Sequence, residues 1–373
     1  MDDRFTRLVP EHIRAFEPYV PSPPDPELCR RYGIERLVRL NNNENLVGPA
    51  PEVRALLQAA DTGQIPIYPS GDSYYLREAL ARRFGKDPGQ FLVGNGSNEA
   101  ITCLIKAFCE AGDNIVAADR TYAVYEWVAT FSGLEARLVP LQADFTWDPA
   151  AVFAAIDGRT KVVFLCNPNN PTGLYWDRGT LTAFLDRLDG RCVVVLDEAY
   201  CEYVDRPDYP DGLQLIDRYP NLVVFRTFSK MYALAALRVG YLAAAPELVA
   251  LIRKTYVVYS VNSLAQQAAQ RALDHDGELI VATRAMVGEG KARLVEVCRE
   301  LGFRTVVGEG NYLMIQVPIP DTLLYKKLLR CGYVVRTLTA FRLPGWIRVS
   351  LLPEPHMAGF RRSFAALFAP TKS

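Results

Sequence analysis

Histidine is scarce in this chain. Only His12, His275 and His356 occur among 373 residues, and they cluster neither with one another nor with cysteines. That argues against a zinc site of histidine and cysteine and leaves a histidine-based catalytic triad without support. The eight cysteines, at 29, 103, 109, 166, 192, 201, 298 and 331, contain no Cys-x-x-Cys pair. Several lie in apolar runs such as Val163-Phe164-Leu165-Cys166, so they read as reduced, buried thiols rather than as a disulfide framework. Net charge is missing too: 42 Lys and Arg balance 42 Asp and Glu. Without a basic field, nucleic acid is not an expected partner. No apolar run approaches the length of a membrane span, so no membrane partner is expected either. Residues 1–11 alternate charged and apolar side chains, so no signal peptide is expected there. The expected location is cytoplasmic.

What the chain does have is apolar residue for two lobes. Half of it is hydrophobic and 23% is charged, as in globular proteins, and 373 residues is long for one core. Residues 1–45 predict an irregular arm, because Pro21, Pro23, Pro24 and Pro26 remove donors and fix φ. From 46 to 275 helical and strand patterns alternate. The apolar runs 162–166, 192–196, 222–225 and 239–244 do not alternate, which is the pattern of strands covered on both faces. Helical segments separate most of them. The expected fold class is therefore α/β, a large domain whose mostly parallel sheet is flanked by helices. The last two runs are joined too tightly for a crossover, so one of them is expected to run antiparallel. The helix at 98–110 is expected to stop at Gly112. A long helix at 280–301 is expected to link the lobes. Residues 303–368 then read as strand, strand, helix, strand, strand and helix, a smaller α+β domain over 276–373 that takes in part of the arm.

Several short segments carry chemistry. Gly94-Asn95-Gly96-Ser97 lies between a strand and a helix start, where glycines and free N–H groups bind anions. It reads equally as a turn capped by Ser97. It also opens like a dinucleotide fingerprint, but Glu99 stands at the last glycine position. Asn167-Pro168-Asn169-Asn170-Pro171-Thr172-Gly173 follows a buried strand, as a plain Asn-Pro turn or as a placement for the Asn170 amide. Asp197 ends an apolar strand, where a carboxylate is costly unless paired. It is either a cap or ion pair, or an anion that keeps a pyridine nitrogen protonated. Tyr200 either packs or donates to a ring oxygen. Lys230 is crowded by apolar and small residues, which lowers an amine's pKa and makes it a nucleophile or base. Arg238 suits bidentate phosphate binding. Arg336 and Arg348 sit in apolar strands, as internal salt bridges or as a fork for a carboxylate or phosphate. Together these residues supply what pyridoxal phosphate needs. Asn170 and Tyr200 donate to its phenolate oxygen, Asp197 pairs with its nitrogen, Lys230 condenses with its aldehyde, and Ser229 and Arg238 hold its phosphate.

The chain closely resembles the class I/II aminotransferases that depend on pyridoxal 5'-phosphate and share the PLP-transferase fold type I. Within them it is most similar to the histidinol-phosphate aminotransferase branch. The resemblance runs from about Pro18 to the last helix. It is carried by Leu40-Asn41-Asn42-Asn43-Glu44-Asn45, Tyr68-Pro69, Gly94 to Glu99, Thr121-Tyr122, Cys166 to Gly173, Asp197 to Tyr200, Arg226 to Lys230, Leu237-Arg238-Val239-Gly240-Tyr241, and Leu343-Pro344-Gly345 before Arg348. It implies that Lys230 carries the cofactor, that Tyr122 stacks on its ring, and that main-chain groups of Ser97 and Asn98 join Ser229 and Arg238 at its phosphate. It implies that Tyr68 reaches the phosphate of a neighbouring subunit, making a homodimer with shared active sites. Tyr19, Arg336 and Arg348 would face the anionic end of the substrate. The implied reaction moves an amino group between an amino acid or a histidinol phosphate-like amino-alcohol phosphate and 2-oxoglutarate. Met231, Ala233, Ala236, Leu46, Ser22, Val258 and Ser260 depart from the family's pattern, and all are expected near the pocket or its lids. The residues leave two alternatives open: another reaction on the same scaffold (decarboxylation, cyclisation or oxidation), or a nucleotide-binding α/β protein.

Overall fold

The computed structural model describes residues 3–18 and 23–369. Among the described residues, twelve strands form two sheets. In chain order they are β1 (Val38–Leu40), β2 (Phe91–Gly94), β3 (Asn114–Ala118), β4 (Glu135–Val139), β5 (Thr160–Cys166), β6 (Val193–Asp197), β7 (Leu222–Thr227), β8 (Gly240–Ala243), β9 (Thr305–Val306), β10 (Tyr312–Gln316), β11 (Tyr333–Thr337) and β12 (Trp346–Ser350). The larger sheet has the order β2-β8-β7-β6-β5-β3-β4. Its strands β4, β3, β5, β6 and β7 are parallel, and β8 runs antiparallel to both β7 and β2. The antiparallel strand expected near Val239 is β8.

The continuous Val/Leu/Phe runs are what this burial demands. Val163, Leu165, Val194, Leu196 and Val224 pack into one core. The residues between them, Val162, Phe164, Val195, Val223 and Phe225, pack into a second core on the other face. Both faces are dry because helices cover both. From β3 the chain adds β4 on one side and then β5 on the other. The loops leaving β3 and β5 therefore diverge, and the divergence opens a crevice at the carboxyl ends of the strands.

The smaller sheet has the order β1-β11-β12-β10-β9, with β1 parallel to β11 and the remaining pairs antiparallel. The helix Gly277–Glu300 lies between β8 and β9 in sequence, and Glu354–Ala366 closes the order of elements. The strand and helix order expected for 303–368 is observed. Among the described residues, no helix is long and apolar enough to cross a membrane.

Two expectations are corrected. The arm is not irregular throughout: Asp25–Tyr32 is a helix with Pro26 in its first turn. Proline is tolerated there, because an N–H in that turn has no intrahelical acceptor to lose. The helix after β2 ends at Phe108, before Gly112, and Cys109 is already extended. Gly112, at φ +94°, instead turns the chain into β3.

The second sheet is fastened over the crevice through the Asn167 to Gly173 turn. The Tyr312 hydroxyl donates to the Asn169 carbonyl at 2.7 Å, and the Glu309 N–H donates to the Gly173 carbonyl at 2.8 Å. Gly173 has φ +75°, and a Cβ there would stand 2.8 Å from the Gly308 backbone. Gly173→Ala is therefore expected to destabilise the fold by about 2 kcal/mol through strain and overpacking. Thermal unfolding reads the effect, and an unchanged midpoint would contradict this account of the seam.

Candidate active site

A cavity of about 480 Å³ opens between the two sheets, within the usual size range for small-molecule sites. One end is built for an anion. Gly96, at φ +74°, precedes the helix Ser97–Phe108, and no side chain caps that helix. Ser97 is thus the first helical residue, which removes the reading of a turn that it caps. A Cβ at Gly96 would overlap the Arg238 guanidinium. Arg238 Nη1 donates to Ser229 Oγ at 3.3 Å and to the Ala235 carbonyl at 3.1 Å. Free helix N–H groups, a hydroxyl and a guanidinium thus converge on one spot.

The opposite wall carries the ionisable groups. Asp197 is buried at the end of β6, in register with Cys166 of β5 and Phe225 of β7. It accepts from the Tyr125 hydroxyl at 2.5 Å and the Ala199 N–H at 3.0 Å. Burial pushes its pKa up, opposed by those two hydrogen bonds and by the Lys230 charge. No cation contacts it among the described residues, so it is not a structural ion pair. Lys230 Nζ donates to the Asn42 carbonyl at 2.7 Å. Burial, then the Arg348 charge, lowers its pKa to about 8.

Tyr200, also buried, accepts from Asn43 Nδ2 at 2.8 Å. Burial pushes its phenol up, so it stays a protonated donor. Asn170 Oδ1 is taken by Arg348 Nη1, which leaves the Asn170 amide NH₂ as its donor toward the cavity. The Tyr122 hydroxyl donates to Asn98 Oδ1 at 2.9 Å. Its ring stands edge-on to Tyr125, with centroids 5.6 Å apart.

Arg336 and Arg348 face each other directly across β11 and β12, where like charges repel. Neither has a carboxylate partner among the described residues, which removes the internal salt-bridge reading. Arg348 Nη2 donates to the Asn41 carbonyl at 2.6 Å, while its buried Nε has no partner. Arg336 lies over the Phe341 ring, 5.4 Å from its centroid.

The structure brings Ser97, Asn98, Tyr122, Asn170, Asp197, Tyr200, Ser229, Lys230, Arg238, Arg336 and Arg348 to one cavity. Tyr68 lies away from it, 79% exposed and stacked on Tyr259 at 4.9 Å. Tyr19 falls outside the described residues. Met231 corrects an expectation: it is fully buried in the larger core and does not line the cavity. Its backbone is what the site uses, with the carbonyl accepting from Asn45 Nδ2 at 2.8 Å. Leu46 and Val258 are exposed and likewise leave the cavity untouched.

Sequence reasoning missed Tyr125, which reads as the core residue of a helix, and gave Asn41, Asn42 and Asn43 no role. A run of three asparagines beside an acidic residue was the available signal. The donor set fits pyridoxal phosphate: an anion cradle, a buried acid, two hydrogen-bond donors and a depressed lysine surround one space. The buried Arg348 Nε remains an unsatisfied donor beside that space.

A family model described as aminotransferase class I and II matches residues 35–363. A histidinol-phosphate aminotransferase of Anaeromyxobacter sp. (strain Fw109-5) is 37% identical over 92% of this chain and 94% of its own length. That of Symbiobacterium thermophilum is 39% identical over 91% and 92%. The crystal structure of histidinol-phosphate aminotransferase from Sinorhizobium meliloti, in complex with pyridoxal-5'-phosphate, superposes with a TM-score of 0.86 at 25% identity, covering 96% of each chain. Thermus thermophilus aspartate aminotransferase with maleate gives 0.82 at 22% identity, a likeness of fold.

The Lys230 amine gives a test free of cofactor. In the apoprotein, its modification by an amine-directed reagent should follow the neutral form, with a midpoint near pH 8. The unfolded chain binds this proton more tightly between about 8 and 10.5, so the group favours the folded state as pH rises through that window. Arg348→Met should move the midpoint upward. A midpoint at the ordinary lysine value would contradict the desolvated site.

Proposed function

The chain belongs to the class I and II aminotransferases, enzymes of pyridoxal 5'-phosphate, and on that premise we propose how its residues divide the work. Bound in the cavity, the cofactor supplies an aldehyde that captures amines and a ring that accepts the electron pair of a broken C–H bond. Lys230 carries it between turnovers. The Asp197 carboxylate holds a proton on the ring nitrogen, and Tyr125 and Ala199 keep that carboxylate in place. The Asn170 amide and the Tyr200 hydroxyl donate to the ring oxygen. Tyr122, which lines the cavity, would stack against the ring. Main-chain groups of Ser97 and Asn98, with Ser229 and Arg238, hold the phosphate.

Once a substrate amine has displaced it, Lys230 Nζ is free to move a proton. It would take the proton from the substrate carbon that bears the amine, hold it at Nζ and give it up again to complete the transfer. A pKa near 8 suits both directions of transfer. An oxo acid then reverses the path.

The observation that carries this reading is that Lys230, Asp197 and Arg348 line one cavity without an ion-pair partner in contact. Arg336 and Arg348 supply the charge for an anionic substrate. With the names of the relatives, this supports an amino-alcohol phosphate such as histidinol phosphate, or an amino acid, as donor and 2-oxoglutarate as acceptor. The exposed Tyr68, together with Ile65 and Ile67, which are also exposed, supports a homodimer in which Tyr68 serves the phosphate of the partner subunit.

The test starts from the pyridoxamine-loaded enzyme and a panel of oxo acids, with the return of the aldehyde absorbance as readout. 2-Oxoglutarate is expected to react fastest, and Lys230→Ala to give no multiple turnover. Arg348→Met should lower kcat/KM for the anionic substrate about a hundredfold, the worth of a charge-assisted bidentate contact. Inert oxo acids, or an indifferent Arg348→Met, would refute the assignment.

A further inference from the structure

Asn43 has a left-handed backbone, φ +56°, and is 1% exposed. Few residues with a Cβ adopt that conformation, and asparagine is among those that tolerate it best. All of its polar groups are engaged. Its N–H donates to Ser350 Oγ at 2.9 Å, and the Ser350 hydroxyl donates to Asn43 Oδ1 at 3.0 Å. Its carbonyl accepts from Asn311 Nδ2 at 3.1 Å. Its Nδ2 donates to the Tyr200 hydroxyl oxygen at 2.8 Å.

The direction of these bonds matters. Ser350 Oγ already accepts the Asn43 N–H, so its own proton is available for Oδ1. That orients the amide and turns Nδ2 toward Tyr200. A phenol oxygen that accepts from Asn43 presents its proton elsewhere. The Tyr200 hydroxyl has no other hydrogen-bond partner among the described residues, and Tyr200 lines the cavity. The smaller sheet, through Ser350 and the turn before β10, thus fixes Asn43, and Asn43 fixes a group of the larger sheet.

Resting on the cofactor placement above, we propose that Asn43 is a positioning residue whose amide aims the Tyr200 hydroxyl proton at the cofactor's ring oxygen. A ring oxygen that accepts this bond stays anionic more readily, and the proton it shares with the Lys230 nitrogen leaves at lower pH. Hydrogen bonds in series reinforce one another, so the Asn43 donor strengthens the Tyr200 donor.

The readout is the pH midpoint of the visible absorbance change of the holoenzyme, measured without turnover. Glycine accepts φ +56° freely, so Asn43→Gly removes the amide without forcing the backbone to move. The midpoint should rise with Tyr200→Phe, and with Asn43→Gly by about half a unit or more. In the Tyr200→Phe background, Asn43→Gly should add nothing. If Asn43→Gly does not fold, Ser350→Ala, which frees the amide to turn, should give a smaller rise of the same sign. An unmoved midpoint, a fall (the amide would then be reversed), or an equal rise without the Tyr200 hydroxyl would overturn the proposal. A visible band that survives Lys230→Ala would instead sink the cofactor placement, which separates the two failures.

Discussion

Three charged groups that line one cavity without an ion-pair partner in contact define this molecule. Lys230, Asp197 and Arg348 share one cavity, and each is met by dipoles instead of by an opposite charge. A phenol and an amide N–H meet the acid. The Asn42 carbonyl meets the amine. The Asn41 carbonyl and the Asn170 amide oxygen meet the guanidinium. The residue that follows β6 shows the contrast. Glu198 is equally buried but pairs with Arg226, which also holds Asp211, each ion pair at 2.7 Å. Compensated charge below the sheet edge is structure. Uncompensated charge above it is capacity for a ligand, since desolvated groups of this kind interact strongly with whatever neutralises them.

That capacity depends on two sheets meeting at one seam. Lys230 and Asp197 follow the carboxyl ends of β7 and β6, where the parallel arrangement opens a crevice. Arg336 and Arg348 come from two antiparallel strands of the smaller sheet, whose pairing forces the two cations together. The tract at 41–45 straps one to the other. Its carbonyls reach Arg348 and Lys230, Asn43 reaches Tyr200, and Asn45 reaches the Met231 backbone. A short polar segment after β1 thereby sets the relative position of groups 157 to 307 residues away in sequence.

The parts legible in the sequence were those whose residue type declares a chemistry. A lysine among apolar neighbours, an acid ending a buried strand and arginines inside apolar strands each carry an electrostatic cost that asks for an explanation. The parallel sheet was legible for the same reason: strands covered on both faces must be apolar at every position. The strap was not legible, because its main contributions are backbone carbonyls, which no side chain advertises. Tyr125 was hidden because its ring is ordinary core, stacked on Phe164 at 4.5 Å, and only its hydroxyl serves the site. Met231 misled in the opposite direction. An unusual side chain beside the key lysine suggested an altered pocket, yet it points into the core. The helix at Asp25–Tyr32 was missed because prolines were read as breakers without regard to their position in the first turn.

This charge is held at the expense of the empty fold, and a ligand that neutralises it recovers the cost. Comparison of the apoprotein with its Asp197→Asn variant tests this most directly, by thermal unfolding with and without pyridoxal phosphate. The account predicts that the variant unfolds at a higher temperature than the wild type when empty, because a buried carboxylate has been removed, and that it gains less from the cofactor. A variant less stable when empty, yet stabilised as much by the cofactor, would contradict it.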